Sequence, residues 1–418
     1  MLGDTPKPLA KGCRPLHSRL RREEVSTVRL RKSLPIVSVV VLALVGLSAC
    51  SQTTPTTTTN GSPIKIGFSV SLTGGFSADG QATLQGYQLW ASTINKAGGL
   101  LGRPVQLVYH DDKSDPNQTT AVYKQLINVD KVDLVFGPFS TLLTKPASVV
   151  AKQYGYAMLE GSGGGPTVFT RGLNNVFDTS VPVANNLTTF ALYILSLPQN
   201  ERPKTAAYAT SDDPFTQPQL DVARALLESG GVNTVYNVVY SADTTKDVTP
   251  FADKVIHSGA DVVLLGTLLP DITTYIKRFR QEHYNPKALI ATAGPDLGKD
   301  FINAVGLSST EGVFVPNGWY PQANNFENAQ MVQDYLAQYG GTADAINADI
   351  AEAYSAGQVL DQAVTKINSI DNSKLITELH SDTFNTVQGA AKFDATGQNT
   401  LGLSFLFQWQ HGNFIPVY

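Results

Sequence analysis

The sequence predicts an α/β protein of two Rossmann-like lobes, each a parallel sheet covered by helices, facing one another across a cleft. Two observations carry this expectation: strand-like and helix-like patterns alternate from Ile64 onward, and the alternation lapses near 181–186 before starting again. In order, 64–70 is an apolar run that reads as a buried strand. After Gly80, residues Leu84, Tyr87, Ala91 and Ile94 share one helical face until Gly98 and Gly99 stop the helix. Strands are expected over 105–109, 132–136 and 157–159, with helices over 117–128 and 142–154. Such alternation makes the strands parallel and puts helices on both faces. The second unit repeats it with strands over 205–209, 232–240, 262–265 and 288–291. A helical region over 326–369 follows, and strand-like 402–409 and 414–417 form a tail that can complete either unit. Ligands of open α/β sheets bind beyond the carboxyl ends of the strands, so function is sought in those loops.

Ahead of these units the chain is different in kind. Residues 34–49 are almost continuously apolar and follow Arg29, Arg31 and Lys32. The run is shorter than the roughly 20 residues of a spanning helix, and its basic flank and small-residue end describe a secretory signal. It closes on Leu47-Ser48-Ala49-Cys50, which resembles the lipobox of bacterial lipoproteins. The resemblance implies that Cys50 is acylated on sulfur and becomes the mature N-terminus, anchored outside the cytoplasm at the cell surface or in the periplasm. The alternative is a short buried helix that ends in Cys. Residues 1–27 are polar and basic without apolar periodicity, so translation is expected to start at Val28. Residues 51–63, mostly Thr, Pro, Asn and Gly, can bury nothing and are expected to form a disordered tether.

The first 49 residues hold 9 of the 31 Lys and Arg but only 3 of the 35 Asp and Glu, leaving a mature chain of net charge −10. An acidic chain without basic clusters argues against nucleic acid or anionic lipid as a partner. Both cysteines, Cys13 and Cys50, fall in the leader and the anchor, so no disulfide is expected in the folded part. The six His are scattered without H-x-x-x-H spacing, and no metal or cofactor is expected. A G-x-G-x-x-G reading from Gly161 fails at Pro166, and a G-x-S-x-G elbow around Ser162 fails at Glu160.

Two loops are candidates on local grounds. Gly137-Pro138-Phe139-Ser140-Thr141 precedes a predicted helix, where hydroxyls and free N–H groups can cradle a carboxylate. Alternatively, Ser140 or Thr141 caps that helix. Gly161-Ser162-Gly163-Gly164-Gly165-Pro166 lies at the same rim and lets a ligand approach the backbone. Asp111, Asp112 and Asp115 read as turn formers at a strand end.

In chain order, the stretches Ile64-Lys65-Ile66-Gly67, Leu72-Thr73-Gly74, Ile94-Asn95-Lys96-Ala97-Gly98-Gly99, Asp111-Asp112-Lys113-Ser114-Asp115-Pro116, Val135-Phe136-Gly137-Pro138, Gly294-Pro295-Asp296, Glu311-Gly312-Val313 and Phe407-Gln408-Trp409 resemble the type I periplasmic binding proteins of ABC importers, especially the branched-chain amino acid-binding branch. The resemblance implies a first lobe of 64–181 plus 318–388, a second of 183–313 plus 389–418, and a three-segment hinge. It implies ligand contacts at Thr141, with Phe139 and Ser140 beside it, and at Ser162, Gly163 and Gly165, although Gly165 stands where a Thr is expected. It implies that Asp296 pairs with a ligand ammonium, that Phe215 walls the cleft, and that Phe76 and Asp79 border it; capping or packing roles are the alternatives for Asp296 and Phe215.

The implied function is that of a monomeric, non-enzymatic substrate-binding lipoprotein. It would capture a small polar ligand, an amino acid of branched-chain or related type, by lobe closure. It would then deliver the ligand to an ABC permease and ATPase complex. Ligand sensing for a receptor, or import of small amides or aromatic carboxylates, are the alternatives.

Overall fold

Alternate residues of the core strands point to opposite faces of two separate sheets, and helices cover all four faces. The computed structural model describes residues 61–402 and 404–418; the expected leader, Cys50 and most of the tether lie outside the described residues. The first lobe runs β1 (Ile64–Val70), α1 (Ser77–Lys96), β2 (Val105–Asp111), α2 (Pro116–Asn128), β3 (Leu134–Phe136), α3 (Thr141–Gln153), β4 (Met158–Glu160), α4 (Pro166–Phe169) and β5 (Val176–Asp178). Its strands are all parallel, in the order β2-β1-β3-β4-β5. On β3, Leu134 and Phe136 join the core beneath α1, while Val135 joins the opposite core with Val122 and Leu126 of α2 and Ala147 of α3.

The second lobe runs α5 (Thr188–Ser196), β6 (Thr205–Ser211), α6 (Thr216–Ser229), β7 (Asn233–Tyr240), α7 (Thr249–Ser258), β8 (Val262–Gly266), α8 (Leu269–Gln281), β9 (Ala288–Ala291), α9 (Lys299–Val305) and β10 (Val313–Asn317). The chain returns to the first lobe as α10 (Asn328–Tyr339), α11 (Ala348–Ile367), α12 (Asn372–Ser381) and the hairpin β11 (Thr383–Thr386) and β12 (Gly389–Lys392), then ends on β13 (Phe405–Gln410) and β14 (Asn413–Pro416). The second sheet has the order β14-β13-β10-β9-β8-β6-β7, with β13 antiparallel to both neighbours. Its parallel part repeats the order of the first sheet. The tail thus completes the second lobe.

The expected helical region over 326–369 is two helices. Gly340 and Gly341 both take positive φ, 74° and 85°, and break it. The resemblance put 389 onward in the second lobe, but β12 pairs with β11, and Ala391 and Phe393 sit in the core beneath α11. Three segments cross between the lobes side by side. Asn399 donates from Nδ2 to the Ser180 carbonyl at 2.8 Å, and Gln388 donates from Nε2 to Ser180 Oγ at 3.0 Å. Gly318 and Gly402 both lie against Val181, where a Cβ would come within 3.2 Å and 2.9 Å of it.

The aspartates at the end of β2 brace the loops below the cleft. Asp112 is fully buried and accepts hydrogen bonds from Ser69 and Ser71, Asp111 accepts from Thr73 Oγ1, and Asp115 caps α2. α1 and α11 approach closely because Gly86 leaves no Cβ; one added there would lie 2.3 Å from the Ile350 carbonyl oxygen.

Candidate functional site

In the order found in both sheets, the strand direction of winding reverses between the first and third strands, and the loops there diverge to leave a crevice at the carboxyl edge. The loops after β1 and β3 in one lobe face those after β6 and β8 in the other. Between them lies a cleft holding a cavity of about 70 Å³, lined by Asp79, Phe139 and Ser140 from the first lobe and Asp213, Phe215 and Leu268 from the second.

Of the residues singled out in the sequence, Asp79, Phe139, Ser140, Ser162, Phe215 and Asp296 line this cleft. The other four stand behind it. Phe76 packs edge-on against Phe139, with ring centroids 5.7 Å apart. Thr141 turns its Oγ1 away to accept from the Gly165 N–H at 3.0 Å. Gly163 donates from its backbone to Glu160 Oε2 at 2.5 Å. Gly165 sits where a Cβ would come within 2.4 Å of Thr141 Cγ2 and 2.7 Å of the Pro214 carbonyl oxygen across the cleft. Thr141 within the lobe and Pro214 across the cleft together leave no room for a side chain, which explains why Gly stands where the resemblance leads one to expect Thr.

Ser140 takes φ 93° and ψ 160°, a region nearly restricted to glycine that costs about 1–3 kcal/mol. Its side chain makes no cap to α3, and its buried Oγ has no protein partner. The strain therefore turns an unpaired hydroxyl toward the cleft at the start of a helix. Tyr87 fixes the preceding loop by donating to the Gly137 carbonyl at 2.9 Å.

Every charged residue of the lining is a carboxylate. Asp79 near the start of α1, Asp178 at the end of β5, Asp349 and Glu352 in the first turns of α11, and Asp213 and Asp296 from the second lobe all face the cleft. Glu160 lies beside Asp178, in register with it on the neighbouring strand. Asn347 caps α11 by accepting from the Asp349 N–H at 2.9 Å, and Ser162 donates from Oγ to Glu352 Oε2 at 2.8 Å. Asp296 accepts from the Gly294 N–H at 2.7 Å, and Trp409 holds that turn through a 2.8 Å bond to the Pro295 carbonyl. Asp178 Oδ2, Glu160 Oε1 and Asp349 Oδ2 are buried without a partner. No Lys, Arg or His lines the cleft among the described residues.

Burial and mutual repulsion hold these groups protonated well above the usual carboxylate range. Asp79 is pushed up to about 8, first by burial and then by the charge of Asp296. Burial likewise lifts Glu160 to about 8, with Glu352 adding repulsion. Glu352 rises to about 7 and Asp296 to about 6, each chiefly through burial. Asp178 and Asp349 are raised further by burial, then by Glu160 and Glu352 respectively.

Sequence reading missed Glu160, Asp178, Asp213, Asp349 and Glu352. Asp178 ends a strand of only three residues, too short to show a period, and Asp349 and Glu352 lie inside what looked like one long helix. The available signals were the position of Glu160 and Asp178 just before the strand-end loops, and the i, i+3 spacing of Asp349 and Glu352, which puts both on one helix face.

A two-lobed α/β clamp with a three-segment hinge and its site between the lobes is the architecture of type I solute-binding proteins. The chain belongs to the periplasmic binding protein family, whose sequence profile matches residues 63–413. It is 25% identical over 357 residues to Leu/Ile/Val-binding protein homolog 3 of Brucella melitensis, covering 85% of this chain and 93% of that one. Among solved structures, it resembles a leucine-binding protein of Thermotoga maritima with TM-score 0.75 and 19% identity, covering 85% of this chain and 98% of that one. It also resembles an R. palustris solute-binding protein in complex with benzoate, with TM-score 0.72 and 18% identity, covering 85% and 95% of the two chains.

Proposed function

We propose that this protein is the extracytoplasmic substrate-binding lipoprotein of an ABC importer, capturing an amino acid or related small polar solute between its lobes and delivering it to a permease and ATPase complex. The cleft carries the reading: it is built by both lobes at once, so a ligand in it stabilises the closed arrangement through contacts no single lobe can make. The Leu/Ile/Val-binding relatives support the solute class, and the lipobox ending at Cys50 supports attachment to the outer face of a membrane. The protein acts by binding and not by turnover, as a monomer.

The test is thermal and urea unfolding of refolded, ligand-free protein against a panel of amino acids, diamines, small amides and aromatic acids. A ligand present at roughly a thousandfold its Kd should add about 4 kcal/mol of stability. Absence of a shift with every member of the panel would refute the reading. For the anchor, Cys50→Ser should move the protein from the membrane fraction to the soluble fraction and abolish acyl labelling; unchanged fractionation would refute lipidation.

A further inference from the structure

Six carboxylates at the cleft have no cationic partner among the described residues. None of Asp79, Glu160, Asp178, Asp296, Asp349 and Glu352 forms a salt bridge there, whereas Asp213, only partly buried, has Lys145 near it. Oxygens of Asp178 and Asp349 are buried without any hydrogen bond although both residues line the cavity, and Asp178 is 0% exposed. A buried carboxyl oxygen with no hydrogen bond is costly for a fold to retain even when burial keeps the group protonated. Its retention at a ligand site indicates that the missing donor, and the countercharge the deprotonated group would need, arrives with the ligand.

Resting on the solute-binding function proposed above, we propose that the ligand is an extended organic cation carrying two or more amino or guanidino groups, of the diamine or polyamine class. Two features make it extended and organic. Among the described residues no three acidic or His side chains converge closely enough to hold a metal ion, so one point charge cannot satisfy the site. The carboxylates instead occupy separate stations: Asp178 with Glu160 at the ends of β5 and β4, Asp349 and Glu352 on α11, Asp79 on α1, and Asp296 on the second lobe. An ammonium offers three donors and fills one such station, so several stations need several cationic groups. Phe139 and Phe215 supply apolar walls for the methylene spacer and π faces for a cation. A simple branched-chain amino acid brings only one ammonium.

Binding of such a ligand would lower the pKa of the carboxylates it meets and expel their protons. Asp79, Glu160, Asp178, Asp296, Asp300, Asp349 and Glu352, facing one another from the surrounding elements, are all acidic and share that direction; Asp213 faces Asp212 and Lys145 as well.

The experiment is titration calorimetry of refolded protein at pH 7.5 with spermidine, 1,4-diaminobutane, L-arginine, L-leucine, benzoate and calcium chloride, repeated in two buffers of different ionisation enthalpy. The proposal expects spermidine or 1,4-diaminobutane to bind about a hundredfold tighter than leucine, with net proton release to the buffer. Asp178→Asn and, separately, Glu352→Gln should each weaken amine binding about tenfold or more, the cost of one charged hydrogen bond, with circular dichroism unchanged. Leucine or benzoate binding more tightly than every amine would overturn the proposal and leave the solute-binding function standing. Calcium binding more tightly than the amines, or amine binding without proton release, would overturn it as well. No binding by any member of the panel, with the protein shown folded, would overturn both.

Discussion

Acidifying the ligand-free protein from pH 7 to pH 5 should stabilise it, the reverse of what ion-paired carboxylates give. Asp79 and Glu160 are 7% and 0% exposed, and burial holds both carboxyls near pKa 8, against roughly 4 in the unfolded chain. Between those values the folded state keeps protons that the unfolded state has released, so stability falls as pH rises. The contribution is fully present below about pH 4 and is lost as pH climbs through about 8. Taken alone, one such group changes stability by about 1.4 kcal/mol per pH unit within the window, or about 2.7 kcal/mol from pH 5 to pH 7. The two groups share Glu352 as a repelling neighbour and do not add fully, so about 3 kcal/mol is expected for the pair. In urea this corresponds to a midpoint higher by about 1 M at pH 5 than at pH 7. Asp382, held low by its hydrogen bond from Lys366, titrates below this window and does not obscure it. Tryptophan fluorescence reads both lobes, because Trp90 and Trp319 lie in the core of the first and Trp409 in that of the second. A midpoint that is flat or rises between pH 5 and pH 7 would refute the placement of buried, unpaired carboxyls in the cleft.

Three substitutions test how the scaffold holds the site. Gly165→Ala places a Cβ 2.4 Å from Thr141 Cγ2 in its own lobe and 2.7 Å from the Pro214 carbonyl oxygen of the opposite lobe, so it should lower the unfolding midpoint and also weaken ligand affinity about tenfold by opposing closure; unaltered affinity would remove the contact between lobes as a reason for Gly. Tyr87→Phe leaves the Gly137 carbonyl unpaired in a buried site and should cost about 1–2 kcal/mol in urea unfolding, whereas a neutral result would show that the bond does not brace the loop. Gly86→Ala gains helix propensity but drives a Cβ to 2.3 Å from the Ile350 carbonyl oxygen, so a net loss of about 1–3 kcal/mol is expected; stabilisation would mean that α1 and α11 can move apart freely.

What could be read from the sequence follows from how each feature is encoded. The strands β1, β6 and β8 are long enough and apolar enough to announce themselves, and the Asp115 cap and Gly98-Gly99 stop mark their helices locally. The second element set restarting after 181–186 was enough to give two lobes. By contrast, β5 has three residues, and the hairpin β11–β12 draws its place from Phe384, Ala391 and Phe393 packing beneath α11, which no local pattern records. The hinge is likewise invisible in any one segment. Ser180, Gln388 and Asn399 meet only because three distant stretches cross together.

The same reasoning explains why the cleft was only half legible. Ser140, Phe139 and Ser162 sit in short loops next to strands, where a motif in one stretch of chain reports a rim. The acidic lining is assembled from α1, β5, the start of α11 and two second-lobe loops, and each carboxylate by itself resembles an ordinary strand end or first-turn acid. Its chemical meaning emerges only when all are seen to converge without a cation. Asp296 illustrates the difference: as one residue it suggests an amino-acid ammonium, but with Asp79, Glu352 and Asp349 facing it, it becomes one station of several. Family membership sets the clamp and its hinge, whereas the charge of the lining sets the solute. The two can diverge because closure depends on the shared sheet order and crossovers, while selectivity depends on the side chains at loop tips, which the fold leaves free to change.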